Sequence, residues 1–204
     1  MNSRDAAAEL VRRDRSFAVV VAEHGPLPRP RAPKVDERFS FLLRTVTYQL
    51  LAGSAAATIH ARVLALIEEP TPARVLELDA TALREVGLST TKAETMIRLA
   101  EACTSGRLQP ERHGRLSDRD VLAEITAIKG LGPWSAQMYL MNCLARPDVW
   151  PAGDYGVRVG WSLLHDLDAT ISERDLRVSA DHLRGLRSLA ARYCWAEVDR
   201  RRAH

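Results

Sequence analysis

Between Ile125 and Ala145 the sequence reads ITAIKGLGPWSAQMYLMNCLA, so one helix is stopped at Gly130-Leu131-Gly132 and a second restarts at Pro133. The two glycines permit unusual backbone angles and close approach of an anion, and Pro133 stands where a first-turn residue needs no amide hydrogen. A helix start reached through glycines turns free N–H groups toward phosphate without a charged side chain and without reading bases. Taken alone, the same pattern also serves as a plain connection between two helices with a glycine cap. Asp154 follows Gly132 by 22 residues, in VWPAGDYGVRVGWSLL, where Pro151 and Gly153 break the chain before a new helix. A carboxylate there caps that helix. It can also steady positive charge developing on a substrate or activate a water molecule, and the two roles are compatible.

These residues must be positioned by helices. From Phe39 onward apolar residues recur at helical spacing, interrupted only by short clusters of Pro, Gly, Ser and Asp. The pattern predicts helices over 38–51, 53–69, 72–78, 80–86, 90–105, 118–128, 133–145, 154–166, 172–183 and 185–200, and no strand. In VGLSTTKAETMIRLAEA, Gly87 ends one helix, Ser89 or Thr90 caps the next, and Met96, Leu99 and Ala100 form its apolar stripe. Upstream, PLPRPRAPK (26–34) holds four prolines and three basic residues and reads as an extended basic connector. Before it, Phe17, Val19, Val20 and Val21 are read as a short helix or extended segment. The division expected is therefore an N-terminal segment, 1–37, that completes a second lobe of a helical domain, 38–204.

A chain of 204 residues can bury a sizeable core. Its 29 Lys plus Arg against 26 Asp plus Glu leave a net charge of only +3, which neither requires nor excludes a polyanionic partner. The only lysines are Lys34, Lys92 and Lys129. Cys103, Cys143 and Cys194 are odd in number and far apart, which suggests buried thiols in a reducing compartment rather than disulfides or a zinc site. The charged N-terminus lacks a signal-like apolar run, so the reading is of a soluble, cytoplasmic protein without a membrane partner.

The hairpin, the Gly/Pro-rich loop and the following Asp together resemble the signature of the helix-hairpin-helix (HhH-GPD) base-excision DNA glycosylases. Within them the chain is most similar to the DNA-3-methyladenine glycosylase II, or AlkA-like, type. YQLLAGSAAATIHARV (48–63), GLSTTKAETMIRLA and RSLAARYCW (187–195) resemble further family stretches, so the likeness spans roughly 38–198. It implies an all-α, two-lobed fold with a central cleft, lacking the archetype's N-terminal β domain. It also implies excision of alkylated bases from double-stranded DNA by a monomer.

Residue by residue, the resemblance makes Asp154 the catalytic carboxylate and Lys129, Gly130, Leu131, Gly132, Trp134 and Ser135 the DNA-binding hairpin. Trp134 and Trp195 match two pocket tryptophans, whose aromatic faces suit a cationic alkylated base. Tyr155 lines the pocket or packs. Met138 stands where the archetype has a pocket tyrosine, with Tyr139 next. A flexible Met and a missing wall imply tolerance of bulkier bases, 1-methyladenine and 3-methylcytosine among them, besides 3-methyladenine and 7-methylguanine. Leu50, beside Gln49, matches the wedge that fills the emptied duplex position. Arg158 is read as a phosphate contact, a partner of Asp154, or a solvated surface residue.

The family's strand-cutting members place a Schiff-base lysine two residues after the second hairpin glycine. Trp134 occupies that position, which implies no lyase step. Three scattered cysteines leave no iron–sulfur cluster. No cofactor is implied for the chemistry, but a structural Na+ or K+ is, held by the backbone carbonyls of Thr126, Ile128 and Leu131. Other readings of the same residues are a non-catalytic hairpin DNA-binding protein, a sensor of alkylated lesions, and a glycosylase for oxidised or mismatched bases.

Overall fold

The computed structural model describes residues 1–51 and 53–202, and every regular element among them is helical. Ala52, inside the turn matched to the wedge, lies outside the described residues. None of the described helices is long and apolar enough to cross a membrane. The chain divides into two compact units, one made of 1–31 with 145–204 and the other of 32–144.

The contiguous unit carries α3 (Arg38–Tyr48), α4 (Gly53–Ile67), α5 (Pro72–Leu76), α6 (Ala80–Glu85), α7 (Thr90–Thr104), α8 (Asp118–Thr126) and α9 (Pro133–Met138). Its core is the apolar stripe of α3, with Leu42, Leu43 and Val46 wholly buried, against Ala93, Met96, Leu99 and Ala100 of α7. Each such leucine contributes about 1.5–3 kcal/mol by leaving water. The helix starts are chemically marked. Thr71, Asp79, Ser89 and Ser117 each accept a hydrogen bond from an amide in the first turn of the helix they precede.

The helix expected over 133–145 is not uniform. It is α-helical to Met138 and then widens into a π-turn over Tyr139–Cys143. Tyr139 is wholly buried there, and its hydroxyl lies 3.1 Å from Nδ1 of the equally buried His113. On its other side His113 Nε2 meets Glu124 at 3.0 Å. Apolar periodicity alone does not reveal such a bulge.

The second unit joins the two ends of the chain: α1 (Ser3–Arg13), α2 (Ala18–His24), α10 (Tyr155–Leu164), α11 (Glu173–Ser179) and α12 (Arg187–Arg202). Helix α1 has the Asn2 side chain as its cap, Asp5 in its first turn and Arg12 and Arg13 in its last, the arrangement a helix dipole favours. Sequence pattern left this stretch unassigned because its buried face consists mainly of Ala6, Ala7 and Leu10. Phe17 is wholly buried, edge-on to Trp161. Asp14 follows α1 and its Oδ2 lies 3.0 Å from Nε2 of His165 and 3.1 Å from Nε2 of His182. The His165 ring also stacks on Trp161 at 4.0 Å.

Helices α10 and α12 lie in backbone contact. A Cβ added at Gly160 would fall 2.1 Å from the carbonyl oxygen of Cys194. On the flank of α12, the Tyr193 hydroxyl donates to the Gly25 carbonyl and accepts from the Leu27 amide, while Arg192 donates to the Pro28 carbonyl. The start of the basic connector is thereby fixed along α12.

Candidate active site

Asp154 is the residue immediately before α10, and its Oδ1 accepts the amide of Val157 at 2.8 Å, so the capping role read from sequence is present. The same oxygen accepts a second hydrogen bond, from the indole Nε1 of Trp195 on α12, at 2.9 Å. Two N–H donors on one oxygen fix the carboxylate's rotamer. Gly156 makes room for this. A Cβ there would come within 2.9 Å of the Trp195 ring and 3.2 Å of Asp154 Oδ1.

The four tryptophans divide into two pairs. Trp150 and Trp161 are buried against each other in the core, with Trp150 donating to the Leu176 carbonyl at 2.9 Å. Trp134 and Trp195, the two matched to pocket positions, are only partly buried. Tyr155 is exposed over 67% of its surface and does not pack into the core. Arg158 is a correction: it neither pairs with Asp154 nor projects free, but donates from Nε to the Ile171 carbonyl at 2.7 Å and is half-buried. Sequence could not show this, because a backbone carbonyl carries no residue-type signal.

In the other unit the hairpin runs from α8 to α9. Gly130 adopts a left-handed φ of 101°, and a Cβ there would collide with the Thr95 side chain of α7 at 2.0 Å, so glycine is required twice over. Lys129 and Gly130 are exposed, Leu131 and Ser135 are buried, and Gly132 precedes α9 with Pro133 in its first turn. Met138 is buried, with its sulfur 4.0 Å from Asn142 Nδ2. The Leu131 amide closes on the Ile128 carbonyl at 2.9 Å, tightening the turn that follows Thr126.

The predicted wedge turn departs from ordinary helical backbone. Helix α3 ends at Tyr48 rather than at residue 51, because Gln49 turns to an extended ψ of 127°, and Leu50 then takes a left-handed φ of 55°. Leu50 is also fully exposed. A leucine in this conformation costs about 1–2 kcal/mol, and an isolated apolar side chain in water gains nothing in return. The turn is held by its neighbours. Gln49 Nε2 donates to the Gly130 carbonyl at 3.0 Å and to Ser135 Oγ at 2.9 Å, and Lys92 Nζ donates to the Thr47 carbonyl at 2.7 Å. Net contributions of about 0.5–1.5 kcal/mol per bond are of the size needed to offset the strain.

Burial pushes Cys103 and Cys143 up to about 12 and Cys194 well above the ordinary thiol range. Among the described residues no cluster of three or more His, Cys, Asp or Glu is arranged to hold a metal.

The HhH-GPD superfamily of base excision DNA repair proteins matches residues 43–182. DNA-3-methyladenine glycosylase 1 of Schizosaccharomyces pombe is 31% identical over 169 residues, covering 81% of this chain and 74% of its own. The solved structure of the S. pombe 3-methyladenine DNA glycosylase in complex with abasic DNA superposes with a TM-score of 0.86 at 29% identity, over 94% of this chain and 95% of that one. A DNA-3-methyladenine glycosidase from Bacillus halodurans gives 0.77 at 26% identity, over 96% and 90%. By its helices, its hairpin and its kin, the chain belongs to the HhH-GPD superfamily of base excision DNA repair proteins.

Proposed function

We propose that this protein is a monofunctional DNA glycosylase that flips alkylated bases out of duplex DNA and releases them by hydrolysis, with Asp154 as the assisting carboxylate. The observation that carries the reading is the double anchoring of Asp154 Oδ1 by Val157 N and Trp195 Nε1 in a chain of this superfamily. Breaking an N-glycosidic bond builds positive charge on the deoxyribose, and a carboxylate already oriented beside the sugar stabilises that charge without reorganising. Alkylated purines such as 3-methyladenine and 7-methylguanine suit the mechanism, because a cationic base is a good leaving group and a good partner for aromatic faces such as Trp134 and Trp195. The buried, unbranched Met138 is the residue through which 1-methyladenine and 3-methylcytosine would be admitted.

No strand cleavage is expected, since Trp134 offers an indole where a lyase needs an amine. The hairpin, from Lys129 to Ser135, is the surface for the DNA backbone, and Leu50 fills the place of the extruded base. A monovalent cation at the hairpin turn would be held by the neutral carbonyls of Thr126, Ile128 and Leu131, ligands that suit a hard ion of single charge. When bound, it would supply positive charge toward a phosphate.

The experiment is base release from methylated DNA, resolved by chromatography, for wild type beside Asp154→Asn, with alkali applied separately. Release of methylated purines by wild type alone, with strand breaks only after alkali, is the expected result. Lesion binding without release would replace this reading with that of a sensor. Strand cleavage without alkali would remove the monofunctional assignment.

A further inference from the structure

The wedge turn and the hairpin are one mechanical piece. Gln49 immediately precedes Leu50, and a single amide nitrogen of its side chain reaches both limbs of the hairpin, the Gly130 carbonyl before Pro133 and the Ser135 hydroxyl after it. Ser135 is itself buried and Gly130 is backed by Thr95, so neither acceptor moves independently of the core. Lys92 holds the carbonyl of Thr47, two residues before Gln49. Directly after these anchors Leu50 stands strained and fully exposed, touching no core.

We propose that Gln49 is a positioning residue for base extrusion. It ties the turn that presents Leu50 to the hairpin that seats on the DNA backbone, so that backbone capture also sets the wedge. The inference rests on the glycosylase reading above. It assigns Gln49 a role in opening the base pair and none in breaking the glycosidic bond.

Extrusion costs less when the target is already mispaired, which separates opening from cleavage. Single-turnover release of 7-methylguanine is measured at saturating enzyme from two duplexes, one with the lesion opposite cytosine and one opposite a mismatched thymine. Wild type, Leu50→Ala and Gln49→Met are compared. Methionine keeps the length of Gln49 but cannot donate.

The ratio of paired to mispaired release should fall about tenfold in Gln49→Met, the scale of losing one or two hydrogen bonds, and should fall in Leu50→Ala too. An equal loss on both duplexes means that Gln49 is merely structural and overturns the proposal. A reduced ratio in Leu50→Ala with an unchanged one in Gln49→Met overturns the coupling while keeping the wedge. An unchanged ratio in Leu50→Ala removes the wedge and this proposal with it. Absence of release by wild type removes the glycosylase reading itself.

Discussion

Trp195 donates its indole N–H to Oδ1 of Asp154 at 2.9 Å across the contact between α12 and α10. The tryptophan matched to a wall of the base pocket is thus also a fixture of the carboxylate. Trp195→Phe keeps most of the aromatic surface and deletes the donor. A hydrogen bond to a charged acceptor contributes about 1.5–3 kcal/mol, so single-turnover base release should drop by about 10- to 100-fold. Affinity for DNA containing an abasic site, measured by fluorescence anisotropy, should change little. A matching loss of affinity would show that the ring matters mainly for binding.

Two glycines of α10 should fail in different ways. Gly160→Ala places a methyl on the backbone of α12 at Cys194, which cannot step aside. Overpacking of this kind costs about 1–3 kcal/mol or more, and thermal unfolding should show a clear loss of stability. Gly156→Ala meets the edge of the Trp195 ring instead, which can rotate. Its unfolding temperature should stay near that of wild type while base release falls, because the rotated indole no longer reaches Asp154.

Leu50→Gly tests whether the strained turn exists for the DNA. Glycine adopts left-handed angles freely, so relieving about 1–2 kcal/mol of strain should hold the unfolding temperature or raise it. Base release from paired lesions should nevertheless fall. A clear loss of stability would mean that Leu50 makes contacts in the free protein that its full exposure denies.

The hairpin turn and the capping position of Asp154 were legible from sequence because glycine, proline and a helix-capping acid leave strong local signals at fixed spacing. Most helices were legible for the same reason, with ends misplaced where tertiary packing intervenes, as at Tyr48 and Met138. Gln49, the Trp195 N–H and Arg158 were not legible in their roles. Each acts on a partner 13 to 86 residues away, and two of them reach carbonyls that every residue possesses. The pairing of Asp14 with His165 and His182 was hidden likewise, since separations of 151 and 168 residues leave no spacing to notice.

His113 makes stability depend on pH. Burial is the largest influence and holds its ring below the usual histidine range, although Glu124 pulls the other way. The neutral ring donates from Nε2 to Glu124 and accepts at Nδ1 from Tyr139, whose phenol burial keeps protonated. An unfolded chain takes up this proton near pH ~6.5 and the folded one only lower, so the fold loses stability as pH falls through that window. Urea unfolding of wild type and His113→Gln at pH 7.5 and 5.5 checks the sign. The wild type should be the more stable at pH 7.5, and the gap should narrow at 5.5. A gap that widens on acidification would mean the ring is charged in the fold.

The division of the chain also orders events in time. Residues 32–144 form their unit without interruption, whereas the unit holding Asp154 closes only when α1 and α2 meet α12. On a ribosome, where chain emerges from the N-terminus onward, the hairpin and its wedge turn can be complete while Asp154 still lacks the tryptophan that holds it. The turn proposed to seat on the DNA backbone is thus built before the anchored carboxylate proposed to assist base release, and a nascent chain released early would carry the first without the second.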